Sequence, residues 1–413
     1  MKKIAIISPD TVPLPLKENC PDTIIEDGKK FSTSDKCQRI TALGKRSWKF
    51  ASHLSNIDEF DVTLLVPNLN TPPKEFIDYN NVNFQIQTYN FKSANWEWSE
   101  ELDRKLIKYD FVILQSTTGT GFQNCAVLPK NINVILDGWV PFLAEMPCVL
   151  LTYNRIFRKI FWAKKMIPQY QDLIRRANCI LYANNRQNSY YEGQFFMTQK
   201  LDWSSFKFSP LLKVPYGVER GELVKKKESN TDKLKLLWYG PVYPWYCPEE
   251  VINQLKYNEH MLIDFVGIVH PRYKRIYTSY FQKFFDGATD APNIRIFEDY
   301  CDDSLSLFSE YDAGIILANN WLEEKYAHRC RILEMAASGF PVIVNEGNAL
   351  YEELDFLKPM LHPIKLTNIA EDLLKIKQDK NRLNIKNEDL EKIYQVMSWD
   401  NVLAPLIDYI RRF

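Results

Sequence analysis

The sequence predicts an α/β protein built from two doubly wound, Rossmann-like domains with parallel sheets. Its 413 residues exceed one ordinary hydrophobic core, since a domain usually takes roughly 100–200 residues. Short runs rich in β-branched residues alternate with helix-compatible sequence, an order typical of βαβ units whose parallel sheet is covered on both faces. A polar, lysine-rich stretch at 219–235, ERGELVKKKESNTDKLK, interrupts this alternation. The two halves therefore predict two domains joined by a linker.

The predicted strands mark each domain in turn. Those of the first half lie at 3–8, 61–67, 109–116, 132–139, 178–184 and 211–218, and those of the second half at 234–240, 261–267, 293–299, 313–319 and 340–346. We assign residues 1–221 to the first domain and 222–394 to the second. The tail at 395–413 has apolar residues at helical spacing and is expected to pack back on the first domain. Ligands of such sheets bind beyond the carboxyl ends of the strands, so two facing sheets predict a central cleft.

Composition argues against several classes of protein. Lysine plus arginine and aspartate plus glutamate both number 52, so the chain lacks the basic excess typical of nucleic-acid binding. Its eight cysteines form no CxxC pattern, which argues against a zinc site or a disulfide framework. No run of about 18 apolar residues occurs, and the start, MKKIAIISPD, enters a strand pattern at once. We expect a cytoplasmic protein without a membrane span.

Residues 323–339, EEKYAHRCRILEMAASG, bring acids and bases together between two predicted strands. The pattern predicts a helix from about Tyr326 to Gly339, with the glycine as its stop signal. Arg331 and Glu334 are three residues apart and share a face of that helix. Such pairs are often a solvated salt-bridge surface. The position of this segment, after the carboxyl end of the strand at 313–319, favours a ligand site instead.

The types of residue in this segment suggest which ligand it binds. A helix N-terminus offers free N–H groups and partial positive charge to a diphosphate, and Arg329 or Arg331 would add charge-assisted hydrogen bonds. A carboxylate one or two turns further along, such as Glu334, accepts hydrogen bonds from vicinal sugar hydroxyls. The combination predicts a nucleoside-diphosphate sugar as ligand.

Motifs along nearly the whole chain resemble the GT-B glycosyltransferases of the glycosyltransferase family 4 type. The segment ILEMAASGFPVIVNEGNALYEEL (332–354) is similar to the donor-site motif of that family, in which two acids flank a helix. ALGKRSWKFASHLS, VILDGWVPFLAE, CILYANNRQNSYYEGQ, LLWYGPVYPWYCPEEVI, DFVGIVHPRY and SWDNVLAPL are similar to its other motifs, in the same order. The resemblance implies that Glu334 binds the ribose, that Glu323 contacts the donor sugar, and that Arg329 and Arg331 lie at the diphosphate. Tyr326 stands eight positions before Glu334, where the family usually has its first acid, and Glu323 fits a bacterial variant of the pattern.

Further candidate residues lie at strand ends and in loops. The resemblance places Gly44 and Arg46 in the acceptor-side loop of the first domain. Asp137 ends a predicted strand, and it either orients or deprotonates an acceptor hydroxyl or caps the start of a loop. Gly240 and Gly267 end strands where a ligand can approach the backbone, although ordinary tight turns explain them almost as well. His270, with Arg272 nearby, is either a phosphate or base contact or a structural histidine.

The segment at 154–177, NRIFRKIFWAKKMIPQYQDLIRRA, interleaves aromatic and basic residues. Such a segment can lie on an anionic membrane surface, which would suit a lipid-linked acceptor. The alternative is an ordinary covering helix with a solvated basic face.

The expected function is sugar transfer. The resemblance implies a retaining, metal-independent hexosyltransferase that moves a sugar from a UDP-, GDP- or dTDP-sugar to a glycan, lipid-linked or small-molecule acceptor in bacterial polysaccharide, glycolipid or glycoconjugate biosynthesis. No metal or other cofactor is expected, because the acidic run YCDDS at 300–304 is typical of a helix cap. The alternatives are a sugar-nucleotide 2-epimerase of the same fold and a catalytically inactive scaffold.

Overall fold

The computed structural model describes residues 1–18, 20, 23–26, 29–32, 40–68, 76–92, 97–98, 100–115, 128–151, 160, 164, 166–198, 201–202, 207–208, 210–227, 231–243, 245–268, 286–298, 303–319 and 322–413. The chain divides into two compact units. The first comprises Met1–Leu143, Lys159–Tyr216 and Trp399–Phe413, and the second comprises Ala144–Arg158 and Gly217–Ser398. The units thus divide at 216/217 and 398/399, and residues 144–158 are counted with the second unit.

The described part of the first unit contains a seven-stranded parallel sheet of order β13-β10-β9-β8-β1-β4-β5. The central strands of this sheet are nearly continuous apolar runs, such as FVILQ in β8, because they are buried on both faces. Three short antiparallel pairs accompany it. The strands of this unit are β1 (Lys2–Ile7), β2 (Thr23–Glu26), β3 (Lys29–Ser32), β4 (Phe60–Pro67), β5 (Gln85–Tyr89), β6 (Phe91–Lys92), β7 (Glu97–Trp98), β8 (Phe111–Gln115), β9 (Asn133–Asp137), β10 (Cys179–Tyr182), β11 (Leu201–Asp202), β12 (Lys207–Phe208) and β13 (Leu211–Lys213).

The described part of the second unit contains a six-stranded parallel sheet of order β16-β15-β14-β17-β18-β19. Its strands are β14 (Leu234–Tyr239), β15 (Met261–Val266), β16 (Ile294–Phe297), β17 (Ala313–Ile316), β18 (Val342–Asn345) and β19 (Leu361–Ile364). Counted within the unit, this order is 3-2-1-4-5-6, which reverses between β14 and β17. The loops that follow those two strands therefore flank the topological switch point, where ligands of such sheets bind.

Helices connect the strands of both sheets. They are α1 (Ala42–Leu54), α2 (Glu100–Leu106), α3 (Phe142–Leu151), α4 (Ile167–Arg176), α5 (Asn185–Met197), α6 (Pro248–Leu255), α7 (Ser304–Phe308), α8 (Leu322–Tyr326), α9 (Cys330–Ala337), α10 (Ala349–Glu353), α11 (Ile369–Gln378), α12 (Asn387–Met397) and α13 (Trp399–Arg412). The helix-cap prediction at 300–304 is confirmed at Asp303, whose side chain accepts from Ser306 N ahead of α7. Of the described residues, none belongs to a helix long and apolar enough to cross a membrane.

The predicted parallel strands are all confirmed, whereas the single helix predicted from Tyr326 to Gly339 is wrong at its start. The chain forms α8, leaves helical geometry, and begins α9 at Cys330. Arg329 has φ −75° and ψ 92°, an extended conformation that turns its side chain inward. The tertiary contacts of that side chain override local helix propensity. Gly339 has φ +78° just beyond α9, as expected of a helix stop signal.

Helix α13 lies on the first unit. Lys2 Nζ donates to the carbonyl oxygens of Ile410 and Arg411, at 2.6 and 2.8 Å. At the other end of the helix, His53 Nδ1 lies 2.7 Å from Asp400 Oδ1. These contacts attach the C-terminal end of α13 to β1 and its N-terminal end to α1.

The predicted linker at 219–235 carries neither helix nor strand over its described residues before β14. Backbone hydrogen bonds hold it to the second unit, from Val224 N to Ser338 O at 2.9 Å and from Lys227 N to Ser309 O at 3.0 Å. This polar segment is therefore ordered along the second unit.

Candidate active site

The loop after β14 brings backbone and a guanidinium together at the switch point of the second sheet. Gly240 has φ +93°, and a Cβ there would lie 2.9 Å from Cζ of Arg331. Arg331 Nη2 donates to the carbonyl oxygen of Pro241 at 3.1 Å. Glycine is required at 240 both by the backbone conformation and by the approach of Arg331. The arginine of α9 thus lies against the end of β14, although the two are remote in sequence.

Two acids and an arginine form a buried cluster before α9. Glu323 and Glu324 are 1% and 4% exposed, and Arg329 is 8% exposed. Arg329 Nη1 and Nη2 donate to the two carboxylate oxygens of Glu323 at 2.8 and 2.6 Å. Nη2 also donates to Glu324 Oε2 at 2.5 Å. Arg329 therefore serves the two acids in this structure, and a phosphate contact by this residue stays a prediction.

Two asparagines fix the second acid. Asn348 Nδ2 donates to Glu324 Oε1 at 3.1 Å, and Asn345 Nδ2 lies 3.4 Å from the same oxygen. Asn345 Oδ1 accepts from Ala318 N at 3.1 Å, which ties the end of β18 to the end of β17. Sequence reasoning missed both asparagines, although polar residues at the end of the strand VIVN and just after it were a signal for them.

One aromatic ring contacts both arginines. The ring centroid of Tyr246 is 4.9 Å from Cζ of Arg329 and 5.6 Å from Cζ of Arg331, distances at which a cation is attracted to a ring face. Asn319 Nδ2 donates to Tyr246 O at 2.9 Å, so the loops after β14 and β17 are joined. Tyr246 thereby links the loop after β14 to both guanidinium groups, and sequence reasoning did not find it.

Arg329 and Arg331 each have one buried nitrogen without a hydrogen-bond partner among the described residues, Nε and Nη1 respectively, but Arg331 is the more exposed of the two. Arg331 is half-buried, and its Nη1 is a buried donor with no hydrogen-bond partner in the described part of the protein. It stands in the first turn of α9, whose N-cap makes no side-chain hydrogen bond. Arg331 can therefore offer a charged donor next to a helix N-terminus, whose backbone N–H groups suit an anion.

Glu334 lies one turn beyond Arg331 and is exposed. The buried residues of α9 form the opposite face, at Ile332, Leu333, Met335, Ala336 and Ala337. Because Glu334 faces away from that core, its carboxylate is accessible to a ligand, and its role as ribose acceptor stays a prediction.

Burial governs the protonation of this site. Burial raises the pKa of Glu323, although Arg329 opposes the shift. The pKa of Arg329 lies well above its usual range, because Glu323 and Glu324 outweigh the burial that alone would lower it. Glu145 of α3 has its pKa raised to about 8, first by burial and then by the charge of Glu323. A third carboxyl thus belongs to the surroundings of the cluster, and sequence reasoning did not single it out.

In the first unit, Asp137 and Arg46 bind each other. Arg46 Nε and Nη2 donate to the two carboxylate oxygens of Asp137 at 2.7 and 2.8 Å, and Arg46 and Asp137 are 0% and 1% exposed. Arg46 also donates to the carbonyl oxygens of Val214 and Pro215, both at 2.8 Å. Burial raises the pKa of Asp137, against the effect of Arg46. The pair thus connects β9 and α1 with the residues that follow β13. A contact between Asp137 and an acceptor stays a prediction.

Two more of the predicted residues, Gly44 and Gly267, are glycines at close backbone approaches or turns. A Cβ at Gly44 would lie 1.8 Å from Thr11 O, so this glycine allows α1 to pack against the loop after β1. Gly267 has φ +68° directly after β15, and its N–H donates to Phe297 O at 2.9 Å. His270 lies outside the described residues.

The basic, aromatic segment at 154–177 is described mainly over α4. Tyr170, Leu173 and Ile174 are buried there. Arg176 Nη2 donates to the carbonyl oxygens of Pro129 and Ile132, at 2.7 and 2.8 Å. This part of the segment is a covering helix, and membrane contact by the segment stays a prediction.

Comparisons with known proteins bear on the fold. Neither the family models nor the curated protein sequences compared with this chain gave a match. Among solved structures, the chain is similar to sucrose-phosphate synthase from Thermosynechococcus elongatus, with a TM-score of 0.63, 12% identity and coverage of 100% of this chain and 99% of that one. It is similar to Anabaena HepE in complex with UDP and glucose, with a TM-score of 0.59, 10% identity and full coverage of both chains. It is also similar to the lipopolysaccharide outer core galactosyltransferase WaaB, with a TM-score of 0.55, 9% identity and 99% coverage of each chain.

These neighbours are glycosyltransferases of the GT-B type. Each of the two parallel sheets described above fits that architecture, and the matches extend over essentially the whole chain. The protein therefore has the GT-B fold, with two α/β units built on seven-stranded and six-stranded parallel sheets.

Proposed function

We propose that this protein is a glycosyltransferase whose nucleotide-sugar donor binds at the switch point of the second unit. The observation that carries the proposal is Arg331, whose buried Nη1 has no partner among the described residues and which lies beside Gly240 at the end of β14. A diphosphate supplies acceptor oxygens for that donor and for the N-terminus of α9. HepE, a structural neighbour, was solved with UDP-glucose, so a UDP-sugar is the first donor class to test.

The residues of the site divide the expected work. Arg331 and the N-terminus of α9 hold the diphosphate and stabilise the charge that develops on it as the leaving group. Glu334 accepts hydrogen bonds from the ribose hydroxyls, and Glu323, held by Arg329, faces the donor sugar. In transfer, the bond from the sugar C1 to the diphosphate oxygen breaks and a bond from C1 to the acceptor oxygen forms. The acceptor proton passes to the leaving diphosphate.

Three finer features belong to the same proposal. Retention of anomeric configuration follows if the diphosphate takes the acceptor proton on the face it leaves. Metal-independent transfer is supported by the cationic side chain and helix terminus at the diphosphate, which can neutralise its charge. A hexose donor and a role in bacterial polysaccharide, glycolipid or glycoconjugate assembly rest on the sequence resemblance.

Nucleotide binding tests the proposal directly. We expect one nucleoside diphosphate of the set UDP, GDP, dTDP and ADP, with CMP as comparison, to raise the melting temperature. A ligand at about 100 times its Kd stabilises the native state by ~2.7 kcal/mol. No shift with any of them would contradict the proposal and favour the inactive scaffold. Fast turnover of the nucleotide sugar without acceptor would favour the 2-epimerase.

Substitution of Glu334 tests the ribose contact. Glu334→Ala removes charged hydrogen bonds of about 1.5–3 kcal/mol each, so we expect the donor KM to rise roughly tenfold or more while the melting temperature changes little. Steady-state kinetics with varied donor would measure it. The control is Glu388→Ala on α12, which removes another exposed glutamate of the second unit. An active Glu334→Ala enzyme with unchanged donor KM would refute the assignment.

A further inference from the structure

The loop between β14 and α6 carries a pair of stacked aromatic rings. The ring centroids of Tyr243 and Trp245 are 4.8 Å apart, and the planes of the two rings differ by 19°. Both residues are half-buried, although a tryptophan is usually among the most buried side chains of a protein. The roles proposed for Arg331, Glu334 and Glu323 use neither ring.

Backbone hydrogen bonds hold this loop in place. Asn319 N, which follows β17, donates to Trp245 O at 2.8 Å, and Asn319 Nδ2 donates to Tyr246 O at 2.9 Å. Tyr246 N donates to Tyr243 O at 2.9 Å, which closes a turn around the pair. Because the loop is fixed before a ligand arrives, a contact made by its side chains costs little additional ordering.

The stacked pair lies near the guanidinium that is expected to bind the diphosphate. The ring centroid of Tyr246 is 5.6 Å from Cζ of Arg331 and 6.3 Å from the ring centroids of both Tyr243 and Trp245. The two rings therefore lie within about 12 Å of that guanidinium, at the same edge of the second sheet. A nucleotide whose diphosphate is bound at Arg331 can place its base there, because the ribose and the phosphate chain separate the two groups.

Trp245 offers carbon surface to a ligand. Its Nε1 is buried and has no hydrogen-bond partner in the described part of the chain, so a ligand reaches the indole through ring carbons and not through the N–H. Among the described residues, the ring contacts of Trp245 are those with Tyr243 and Tyr246. An aromatic carbon surface suits a flat ring, which it can stack on, better than a phosphate or a hydroxyl.

We propose that Trp245, supported by Tyr243, stacks on the base of the donor nucleotide. The inference rests on the proposed function, since it takes a diphosphate bound at Arg331 as its anchor. Every nucleobase has a π-face, so stacking adds affinity for a nucleotide without selecting one base. Trp245 then distinguishes a nucleotide from a bare diphosphate, whereas Arg331 binds both.

Titration calorimetry with UDP, GDP and pyrophosphate tests this division. Trp245→Leu removes the aromatic ring, so we expect it to bind whichever of UDP and GDP the wild type binds about tenfold more weakly, and to bind pyrophosphate within about twofold of wild type. Trp245→Phe keeps a π-face and should bind the nucleotide within about threefold of wild type. Arg331→Met should weaken binding of the nucleotide and of pyrophosphate alike. Tyr257→Leu, which removes a 62% exposed ring between α6 and β15, is the control.

Tryptophan fluorescence gives a second readout, which a merely structural role of Trp245 would not change. A base stacked on an indole quenches its emission, so the nucleotide should quench the wild type more strongly than Trp245→Phe, although both bind it. Equal quenching in the two proteins would overturn the stacking. Retained binding of pyrophosphate, together with the urea midpoint, shows that Trp245→Leu is folded.

The outcomes separate this inference from the proposed function. If the wild type binds a nucleotide and folded Trp245→Leu binds it equally tightly, the stacking is wrong and the proposed function stands. If Trp245→Leu binds UDP as wild type does but binds UDP-glucose weakly, the ring contacts the sugar and stacking on the base is wrong. If the wild type binds neither nucleotide nor pyrophosphate, the donor site itself is wrong and the stacking falls with it.

Discussion

Replacing Arg329 with methionine is expected to lower the free energy of unfolding by roughly 3–5 kcal/mol, which would rank among the largest effects of any single change in the second unit. Arg329 is the partner of two buried acids, at 2.5 to 2.8 Å. Without it, Glu323 and Glu324 must stay charged without a cation or take up protons inside the protein. Urea unfolding followed by circular dichroism would measure the loss.

The matched control is the same substitution two residues away. Arg331 is half-buried, and its Nη2 donates to Pro241 O. Arg331→Met should therefore change stability by less than about 1.5 kcal/mol, the usual net contribution of one hydrogen bond. It should instead weaken UDP binding about tenfold or more, because a charge-assisted bond to phosphate is lost.

The pair of variants tests the separate roles of the two arginines. Arg329→Met is expected to unfold at a lower urea concentration than wild type. Arg331→Met is expected to fold normally and to bind nucleotide poorly. Equal stability losses in both would contradict this division, as would unchanged UDP binding by Arg331→Met. Adding Glu323→Gln to Arg329→Met should recover part of the lost stability, since it removes one of the two unpaired charges.

The parallel sheets could be predicted from the sequence because their central strands are buried on both faces. Runs such as FVILQ and VIVN are almost entirely apolar, as expected of strands buried on both faces. The edge strands β5 and β19 were missed. The first, QIQTY, is largely polar, and the second, LHPI, contains a proline that suits only an edge. Edge strands need less burial, so their sequences carry a weaker signal.

The sequence located candidate residues of the second unit but not their contacts. Position beyond the carboxyl ends of strands led to Gly240 and to the segment that contains Arg331, whereas the family resemblance led to the role of Glu323. The turn at Arg329 could not be foreseen, since a side chain that leaves a helix to reach two acids is a tertiary effect. Glu145 was missed for the same reason, because its significance lies in Glu323, which is far away in sequence.

The second large effect is expected in the first unit, at the ion pair of Arg46 and Asp137. Either Arg46→Met or Asp137→Leu should cost roughly 3–5 kcal/mol, because each leaves one fully buried charge without its partner. The double variant should cost clearly less than the two single losses together, since both charges are gone. It still loses the hydrogen bonds from Arg46 to Val214 O and Pro215 O, so full recovery is not expected. A double-mutant cycle by urea unfolding gives the coupling energy, and additive losses would contradict a buried ion pair.

The same site decides between two roles for Asp137. A general base typically contributes about 10²–10⁴-fold to the rate, so its loss would lower kcat by that factor in folded enzyme. A carboxylate that only holds Arg46 should give Asp137→Asn a lower melting temperature with kcat per folded molecule within a few-fold of wild type. The bidentate contact and the 1% exposure of Asp137 favour the second result. Activity measured well below the melting temperature, with the folded fraction taken from circular dichroism, separates the two. A hundredfold loss of kcat in fully folded Asp137→Asn would establish the catalytic role that the position of Asp137 at the end of β9 suggests.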